Sequence, residues 1–200
     1  MLLRRCNMRI PVYLDVAAQH GGGSSGLGLL AAAQAKGSPY LSLEAKKLRE
    51  INSIFVHCTA TPPSQDIGVT KVRAWHKARG WSDIGYHYLI KRDGTVQKGR
   101  ADKRAGAHTK GYNAASLGVA LVGGITEKGR PQFNYSGAQM KALETLLQDL
   151  CFQYGIEIDQ IHGHNEVSSK ACPCFDVGQW LQGRYAAKPS AREKSETEGF

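Results

Sequence analysis

The sequence lacks any apolar stretch long enough to cross a membrane. A spanning helix needs about 18 to 20 uninterrupted apolar residues, and the longest candidate, residues 27–33, is far shorter. Hydrophobic residues make up 42% and charged residues 22% of the 200 positions, which is ordinary for a soluble globular chain. The composition therefore excludes a membrane bundle, a collagen-like repeat and wholesale disorder, and we expect no stable membrane insertion.

Cysteine is sparse, with five residues at positions 6, 58, 151, 172 and 174. An odd number in a chain of this size does not indicate a secreted disulfide framework. The N-terminus has no convincing signal peptide, because Asp15, Gln19 and His20 interrupt what would have to be its apolar centre. We therefore expect synthesis in a reducing compartment, with at least one thiol kept for another purpose.

Acidic residues are in the minority, with 17 Asp and Glu against 26 Lys and Arg, which gives a net charge of +9. A basic surface attracts polyanions, whether nucleic acid, anionic lipid or an acidic cell-wall polymer. The sequence contains no arginine-rich run and no stripe of alternating basic and aromatic residues. We therefore expect no direct binding of nucleic acid.

The hydrophobic pattern predicts one α/β domain with a central mixed β-sheet flanked by helices. Residues 1–50 are expected to form a Gly/Ser-rich, partly flexible extension, residues 51–185 the domain, and residues 186–200 a disordered tail. A short helix over residues 40–50 is expected at the end of the extension. The elements predicted within the domain are strands at 54–56, 86–90, 96, 117–122 and 156–162, and helices at 69–79, 136–154 and 176–180.

Three residues stand out as candidate metal ligands among the seven histidines and the cysteines. His57 and His164 come where predicted strands end, and Cys172 follows in a loop. Two imidazoles and one thiolate suit Zn²⁺ and leave a fourth position for water. The spacing alone is weak support, because no short Cys-x-x-Cys or His-Glu-x-x-His signature is present. It also leaves His162 and Cys174 open as alternatives to their neighbours.

Other candidates have less specific interpretations. His108 and Asn113 lie on a polar, glycine-flanked loop, which is typical of a substrate-binding element. Taken alone, Tyr86 is expected to be a core aromatic residue. His76 and His87 are expected to be structural, and Cys58 and Cys151 to be small core residues.

The order of motifs from about residue 53 to 181 resembles the zinc-dependent N-acetylmuramoyl-L-alanine amidases (amidase type 2), a family that includes the peptidoglycan recognition proteins. Within that family the resemblance is closest to the T-seven-type phage lysozyme, which is an amidase despite its name. The matching segments are Phe55–Cys58 (FVHC), Trp75–Lys77 (WHK), Gly85–Val96 (GYHYLIKRDGTV), Gly106–His108 (GAH), Gly111–Asn113 (GYN), Ser116–Gly118 (SLG), Val122–Gly124 (VGG), His164–Val167 (HNEV), Lys170–Pro173 (KACP) and Phe175–Asp176 (FD).

The resemblance implies a role for each matched position. His57, His164 and Cys172 would bind zinc, while Tyr86 and Lys170 would assist catalysis. The implied reaction is hydrolysis of the amide between N-acetylmuramic acid and L-alanine in peptidoglycan by a zinc-activated water. Lys170 would stabilise negative charge on the carbonyl oxygen. The sequence identifies neither the proton donor to the leaving amine nor the preferred peptide stem.

Two other classes of function stay open at this point. A non-catalytic peptidoglycan-binding module of the same superfamily generally lacks a metal ligand, and here all three ligand positions are present. A regulator that binds phage RNA polymerase is the other, although the N-terminal extension departs from the lysozyme pattern. We expect a monomeric phage or prophage endolysin, stored in the host cytoplasm and released to the wall at lysis. A bacterial toxin is an alternative origin.

Overall fold

The computed structural model describes residues 49–185, which form a five-stranded sheet with helices on both faces. The strands are β1 (Ser53–Cys58), β2 (Tyr88–Ile90), β3 (Val96–Lys98), β4 (Ser116–Leu121) and β5 (Ile161–Gly163). The helices are α1 (Val69–Ala78), α2 (Gly137–Tyr154) and α3 (Val177–Tyr185). Apart from positions 49 and 50, the predicted N-terminal extension lies outside the described residues, as does the predicted tail.

The strand order across the sheet is β3-β2-β4-β1-β5. Strand β1 pairs in parallel with β4 and with β5, and β2 pairs in parallel with β4, whereas β2 and β3 form an antiparallel hairpin. The predicted mixed sheet of a single α/β domain is therefore confirmed. Strand β1 lies at the centre of a sheet with helices on both faces, so all six of its residues are buried.

Alternation along the strands divides the interior into two apolar layers. The larger layer joins one face of β1 and β4 to α2 and α3, and it includes Ile54, Val56 and Leu143. The smaller layer joins the opposite face to α1 and includes Val72, Leu89 and Ala120. Successive side chains of a strand point to opposite faces, so β1 sends Phe55 and His57 to the side opposite Ile54 and Val56.

Helix α2 follows the sequence prediction closely. The Ser136 side chain accepts from the backbone N–H of Gln139, whose side chain accepts in return from the Ser136 backbone, completing the predicted capping box. The helix ends at Gly155, which has the left-handed conformation that favours glycine. The buried stripe consists of Met140, Leu143, Leu147 and Leu150.

The predicted bounds of the last strand and the last helix are wrong. The strand expected over 156–162 is confined to β5, because the edge strand pairs only with Ile54–Val56 and the preceding Ile158–Gln160 form a 3-10 turn. The last helix continues beyond Trp180 to Tyr185, although it does start after Asp176, whose carboxylate accepts from the N–H of Gln179.

His57 was expected at the point where the first strand gives way to a loop, and it lies within β1 instead. Strand β4 continues alongside and pairs Ala120 with His57 and Leu121 with Cys58, which keeps both positions in the ladder.

No helix within residues 49–185 combines the length and apolarity needed to span a membrane.

Candidate active site

The sheet topology brings the three predicted metal ligands together. Strands β1 and β5 are parallel neighbours, so their carboxyl ends lie at one edge of the sheet, with His57 near the end of β1 and His164 directly after β5. Cys172 reaches the same place from the loop before α3. Each of the three residues has a potential ligand atom, and these three atoms all lie within 4.8 Å of one another. Within residues 49–185 no other group of three His, Cys, Asp or Glu side chains comes together in this way.

The two ring nitrogens of His57 face different neighbours. Nδ1 lies 3.8 Å from Sγ of Cys172 and is therefore on the side of the ligand group. Nε2 points away from it, lying 3.1 Å from Nδ1 of His108 and 3.3 Å from the hydroxyl oxygen of Thr109. The ring of His164 is close, with its centroid 4.6 Å from that of His57.

The electrostatic surroundings keep both imidazoles of the group neutral. Burial lowers the pKa of His57 well below its usual value, and the nearby imidazoles of His108 and His164 and the ammonium group of Lys170 disfavour its protonated form further. Burial and Lys170 also lower the pKa of His164. Neutral imidazole is the form that binds a metal, so both side chains are ready to act as ligands at neutral pH.

Hydrogen bonds distinguish Cys172 from Cys174. The side chain of Cys58 lowers the pKa of the Cys172 thiol, and the backbone N–H of Cys58, which donates to Sγ over 3.1 Å, adds to the effect. The Cys174 thiol instead donates to the carbonyl of Gly124 over 3.0 Å, and its pKa is raised, chiefly by the side chain of Cys58. A thiolate is the form that binds metal, so the structure favours Cys172 over Cys174 as the ligand.

The neighbouring histidine is also separated from the group. Nδ1 of His162 pairs with the carboxylate of Glu166 over 3.1 Å, and its ring packs against Phe55 with centroids 5.3 Å apart. His164 rather than His162 therefore joins the ligand group. The donor set of two imidazoles and one thiol fits Zn²⁺, and three protein ligands leave one tetrahedral position open.

Tyr86 and Lys170 border the group. The ring of Tyr86 lies 5.2 Å from that of His57 and 5.4 Å from that of His76. Burial raises the pKa of Tyr86, so its phenol stays protonated at neutral pH and can donate a hydrogen bond. Lys170 is exposed, yet its charge reaches His57, His164 and Cys172 and lowers the pKa of each.

Hydrogen bonds within the loop that carries His108 and Asn113 fix its conformation. The side-chain oxygen of Asn113 accepts from the backbone N–H of His108 over 2.8 Å and from that of Thr109 over 3.0 Å. This fixes the loop beside the ligand group and turns the His108 ring toward His57. Burial is the main reason why the pKa of His108 is lowered, to about 3.

Two further histidines are structural, as predicted. Nδ1 of His76 accepts from the N–H of Gly85 over 2.9 Å, which ties α1 to the following loop. Nδ1 of His87 accepts from the N–H of Gly118 over 2.9 Å, and its Nε2 lies 3.0 Å from the carbonyl of Arg104. Both side chains therefore bridge backbone segments of the domain.

Sequence reasoning missed the backbone N–H of Cys58, and it placed Thr109 on the polar loop without predicting the contact of its hydroxyl with His57. The sequence does contain one signal for the position of His108, because Gly118 interrupts an apolar strand and glycine inside a strand often marks a close approach of another group. A Cβ on Gly118 would lie 2.6 Å from Cγ of His108. The glycine therefore makes room for the His108 ring.

Together, the α/β sheet and the group of three potential ligands at its edge define a class of domain that could hold a metal ion. Residues 47–175 match the N-acetylmuramoyl-L-alanine amidase family (Amidase_2). The endolysin of Escherichia phage T7 is 49% identical over 140 residues, which cover 70% of this chain and 91% of that protein. The endolysin of Enterobacteria phage T3 is 52% identical over 130 residues, covering 65% and 85%.

The solved structures lead to the same family. The N-acetylmuramoyl-L-alanine amidase LysC from Clostridium intestinale URNW superimposes with a TM-score of 0.59 at 30% identity, over 70% of this chain and 87% of that one. The chain therefore belongs to the N-acetylmuramoyl-L-alanine amidase family. It is an enzyme of the endolysin type within that family.

Proposed function

We propose that the protein is a zinc-dependent endolysin that hydrolyses the amide between N-acetylmuramic acid and L-alanine in peptidoglycan. The observation that carries this proposal is the convergence of His57, His164 and Cys172, whose potential ligand atoms lie within 4.8 Å of one another. A family member that only binds peptidoglycan has no need of this set of donors. Their presence beside Tyr86 and Lys170 supports the enzyme over the binding module.

The three ligands are prepared for a divalent cation before it binds. The two imidazoles are held neutral, and the thiolate of Cys172 is stabilised by hydrogen bonds from Cys58. When bound, Zn²⁺ supplies Lewis acidity and lowers the pKa of a water ligand toward about 7. His57, His164 and Cys172 would hold the ion and would leave a fourth position for that water.

The side chains of Tyr86 and Lys170 assist the hydrolysis. The Tyr86 phenol stays protonated, so it donates a hydrogen bond to an oxygen that gains negative charge as the amide carbonyl is attacked. The ammonium group of Lys170 acts on the same developing charge. A fixed donor or cation aimed at such charge contributes about 3 to 4 kcal/mol of transition-state stabilisation.

The loop of His108 and Asn113 is proposed to border the bound peptide stem. Asn113 holds the loop through its side-chain oxygen, so its contribution to substrate binding is to keep the loop in place. The net charge of +9 suits an anionic cell wall. We propose further that the enzyme acts as a monomer, is stored in the host cytoplasm and reaches the wall at lysis.

The test is digestion of purified peptidoglycan, with and without a chelator, followed by mass spectrometry of the fragments. We expect free stem peptides that begin at L-alanine, lost with the chelator and restored by Zn²⁺. The Cys172→Ser variant should lose bound zinc and activity together, whereas Lys170→Ala should keep its zinc and hydrolyse about 10²- to 10³-fold more slowly. Equal activity in a demonstrably metal-free protein would refute the mechanism.

Two other outcomes would identify the alternative functions. Peptidoglycan that retains the protein without being cleaved would support the binding module. Absence of both cleavage and binding would direct attention to phage RNA polymerase, for which a pull-down with the cognate polymerase is the direct assay.

A further inference from the structure

A chain of hydrogen bonds leads from the ligand group into the domain. Nε2 of His57 lies 3.1 Å from Nδ1 of His108, and Nε2 of His108 lies 3.5 Å from the hydroxyl oxygen of Ser116. That hydroxyl donates to the backbone carbonyl of Tyr112 over 2.7 Å. Each imidazole thus has a partner on both of its nitrogens, and the chain ends on a backbone carbonyl.

The carbonyl fixes the direction of the whole chain. A carbonyl oxygen only accepts hydrogen bonds, so the Ser116 hydroxyl proton points at Tyr112 and its oxygen accepts from Nε2–H of His108. A neutral imidazole carries one proton, which leaves Nδ1 of His108 bare. That nitrogen must accept, and the proton it accepts belongs to Nε2 of His57.

Thr109 enforces the same direction. Its buried hydroxyl oxygen lies 3.0 Å from Nδ1 of His108 and 3.3 Å from Nε2 of His57. If the single lone pair of Nδ1 of His108 takes the Thr109 hydroxyl proton instead, the Thr109 oxygen accepts from Nε2–H of His57. Either route places the proton of His57 on Nε2.

We propose that His108 is a positioning residue that fixes His57 as the Nε2–H tautomer and holds its bare Nδ1 toward Cys172. The inference rests on the proposed metal-dependent function, because Nδ1 is the nitrogen that faces the ligand group. A histidine that binds a metal donates its other N–H to such a partner, which orients the ring and raises its basicity. His108 therefore acts through His57, in addition to any contact its loop makes with substrate.

The space around His108 is shaped for this ring. A Cβ on Gly106 would lie 2.3 Å from its Cδ2, and a Cβ on Gly118 would lie 2.6 Å from its Cγ. Real Cβ atoms essentially never approach another atom under 3.0 Å. The His108 ring therefore occupies the space that side chains at Gly106 and Gly118 would fill. These two backbone segments restrict the position of the ring and keep its Nδ1 within reach of His57.

The direct test is the tautomer of each ring in the full-length, chelator-treated protein. Long-range ¹H–¹⁵N correlation spectra of protein with labelled histidine distinguish Nδ1–H from Nε2–H. We expect His57 and His108 both to carry the proton on Nε2. A proton on Nδ1 of either ring would overturn the inference, and this measurement needs no variant that must fold.

The second test is zinc affinity, measured by competition with a chromogenic chelator in the absence of substrate. His108→Leu removes the acceptor and should weaken zinc binding about 10- to 100-fold. His108→Asn keeps an oxygen near the position of Nδ1 and should recover most of that loss. The control is His87→Leu, which removes a more deeply buried histidine that bridges backbone groups, and it should retain wild-type zinc affinity.

The outcomes separate this inference from the proposed function. Wild-type protein that binds no zinc would refute the proposed function itself. Wild-type protein that binds zinc with an affinity unchanged in His108→Leu would refute only the role of His108. Equal weakening in His108→Leu and His87→Leu would also refute it, because the loss would then follow from general damage to the fold.

Discussion

Adding a single methyl group to Gly118 should disturb the candidate metal site without changing any ligand. Gly118 lies inside β4, and its backbone N–H donates to Nδ1 of His87. The new Cβ would lie 2.6 Å from Cγ and Cδ2 of His108, whereas ordinary contact begins at 3.4 Å. The His108 ring has hydrogen-bond partners on both of its nitrogens, so the whole ring must move away from the new Cβ by about 0.8 Å.

Two opposing effects set the change in stability of the metal-free protein. Replacing glycine by alanine inside a strand gains about 0.5 to 1 kcal/mol from backbone entropy. Overpacking a well-filled interior costs about 1 to 3 kcal/mol. The steric effect is larger, and we expect Gly118→Ala to lower the free energy of unfolding by about 1 to 2 kcal/mol.

The effect on the metal adds to this loss. A shift of about 0.8 Å would stretch the 3.1 Å contact between His57 and His108 beyond hydrogen-bonding distance. Losing this partner should weaken zinc binding at least about 10-fold. Since the stabilisation by a saturating ligand varies with the logarithm of its affinity, the increment in unfolding free energy on adding zinc should shrink by about 1.4 kcal/mol.

The assay is urea unfolding with chelator and with a fixed excess of free Zn²⁺, and the difference between the two is the zinc increment. Gly183→Ala is the matched control, because a Cβ there meets nothing within 4 Å and alanine is favoured in a helix by about 1 kcal/mol. It should raise stability and keep the zinc increment. A normal increment in Gly118→Ala would refute the reasoning, even if the metal-free protein were destabilised.

Three further predictions concern the acid range, the phenol and the longest helix. Burial holds the pKa of His87 at about 4, so the unfolded chain takes up the proton first. Lowering the pH from 7 to 4 should then cost the metal-free protein about 3 kcal/mol through His87, and His87→Leu should lack this part of the slope in urea unfolding at several pH values. Tyr86→Phe should bind zinc normally but lower kcat about 10²- to 10³-fold in peptidoglycan hydrolysis with KM little changed, and an unchanged kcat would exclude a catalytic role for the hydroxyl. Ser136→Ala should cost about 1 kcal/mol in urea unfolding whereas Ser136→Asn should keep most of the cap, and equal losses in both would contradict a capping role.

The sequence predicts an element well when its stability is local. Helix α2 has a capping box, a buried stripe and a terminal glycine, and all three are readable from neighbouring positions. Strand β5 has none of these, because its length is set by the three residues of β1 that face it. The predicted strand over 156–162 was therefore too long at its start, where the chain forms a 3-10 turn instead.

The difference between local and long-range determinants also applies to the site. Residue type and family resemblance pointed to His57, His164 and Cys172, because side chains of those types perform the chemistry themselves. The N–H of Cys58 and the hydroxyl of Thr109 act through hydrogen bonds that span 114 and 52 positions of the chain. No local pattern encodes such partners, since any residue has a backbone N–H and most threonines serve other purposes.

The absence of a short metal-binding signature follows from how the site is built. A spacing such as His-Glu-x-x-His works because one helical turn sets the distance between its ligands. Here the ligands come from a central strand, the turn that directly follows a neighbouring strand, and a loop, and the parallel register of β1 with β5 sets the distance between the first two. Sequence separation therefore carries no information about the geometry.

This construction makes the site depend on the same register as the hydrophobic core. Along β1, Val56 and Cys58 enter the core beneath α2, while Phe55 and His57 face the opposite side. A slip of one residue would exchange the two faces, burying the His57 imidazole among leucines and removing Val56 from the core. The free energy that orders the core therefore also orders the metal ligand, and the site needs no separate local motif to hold His57 in place.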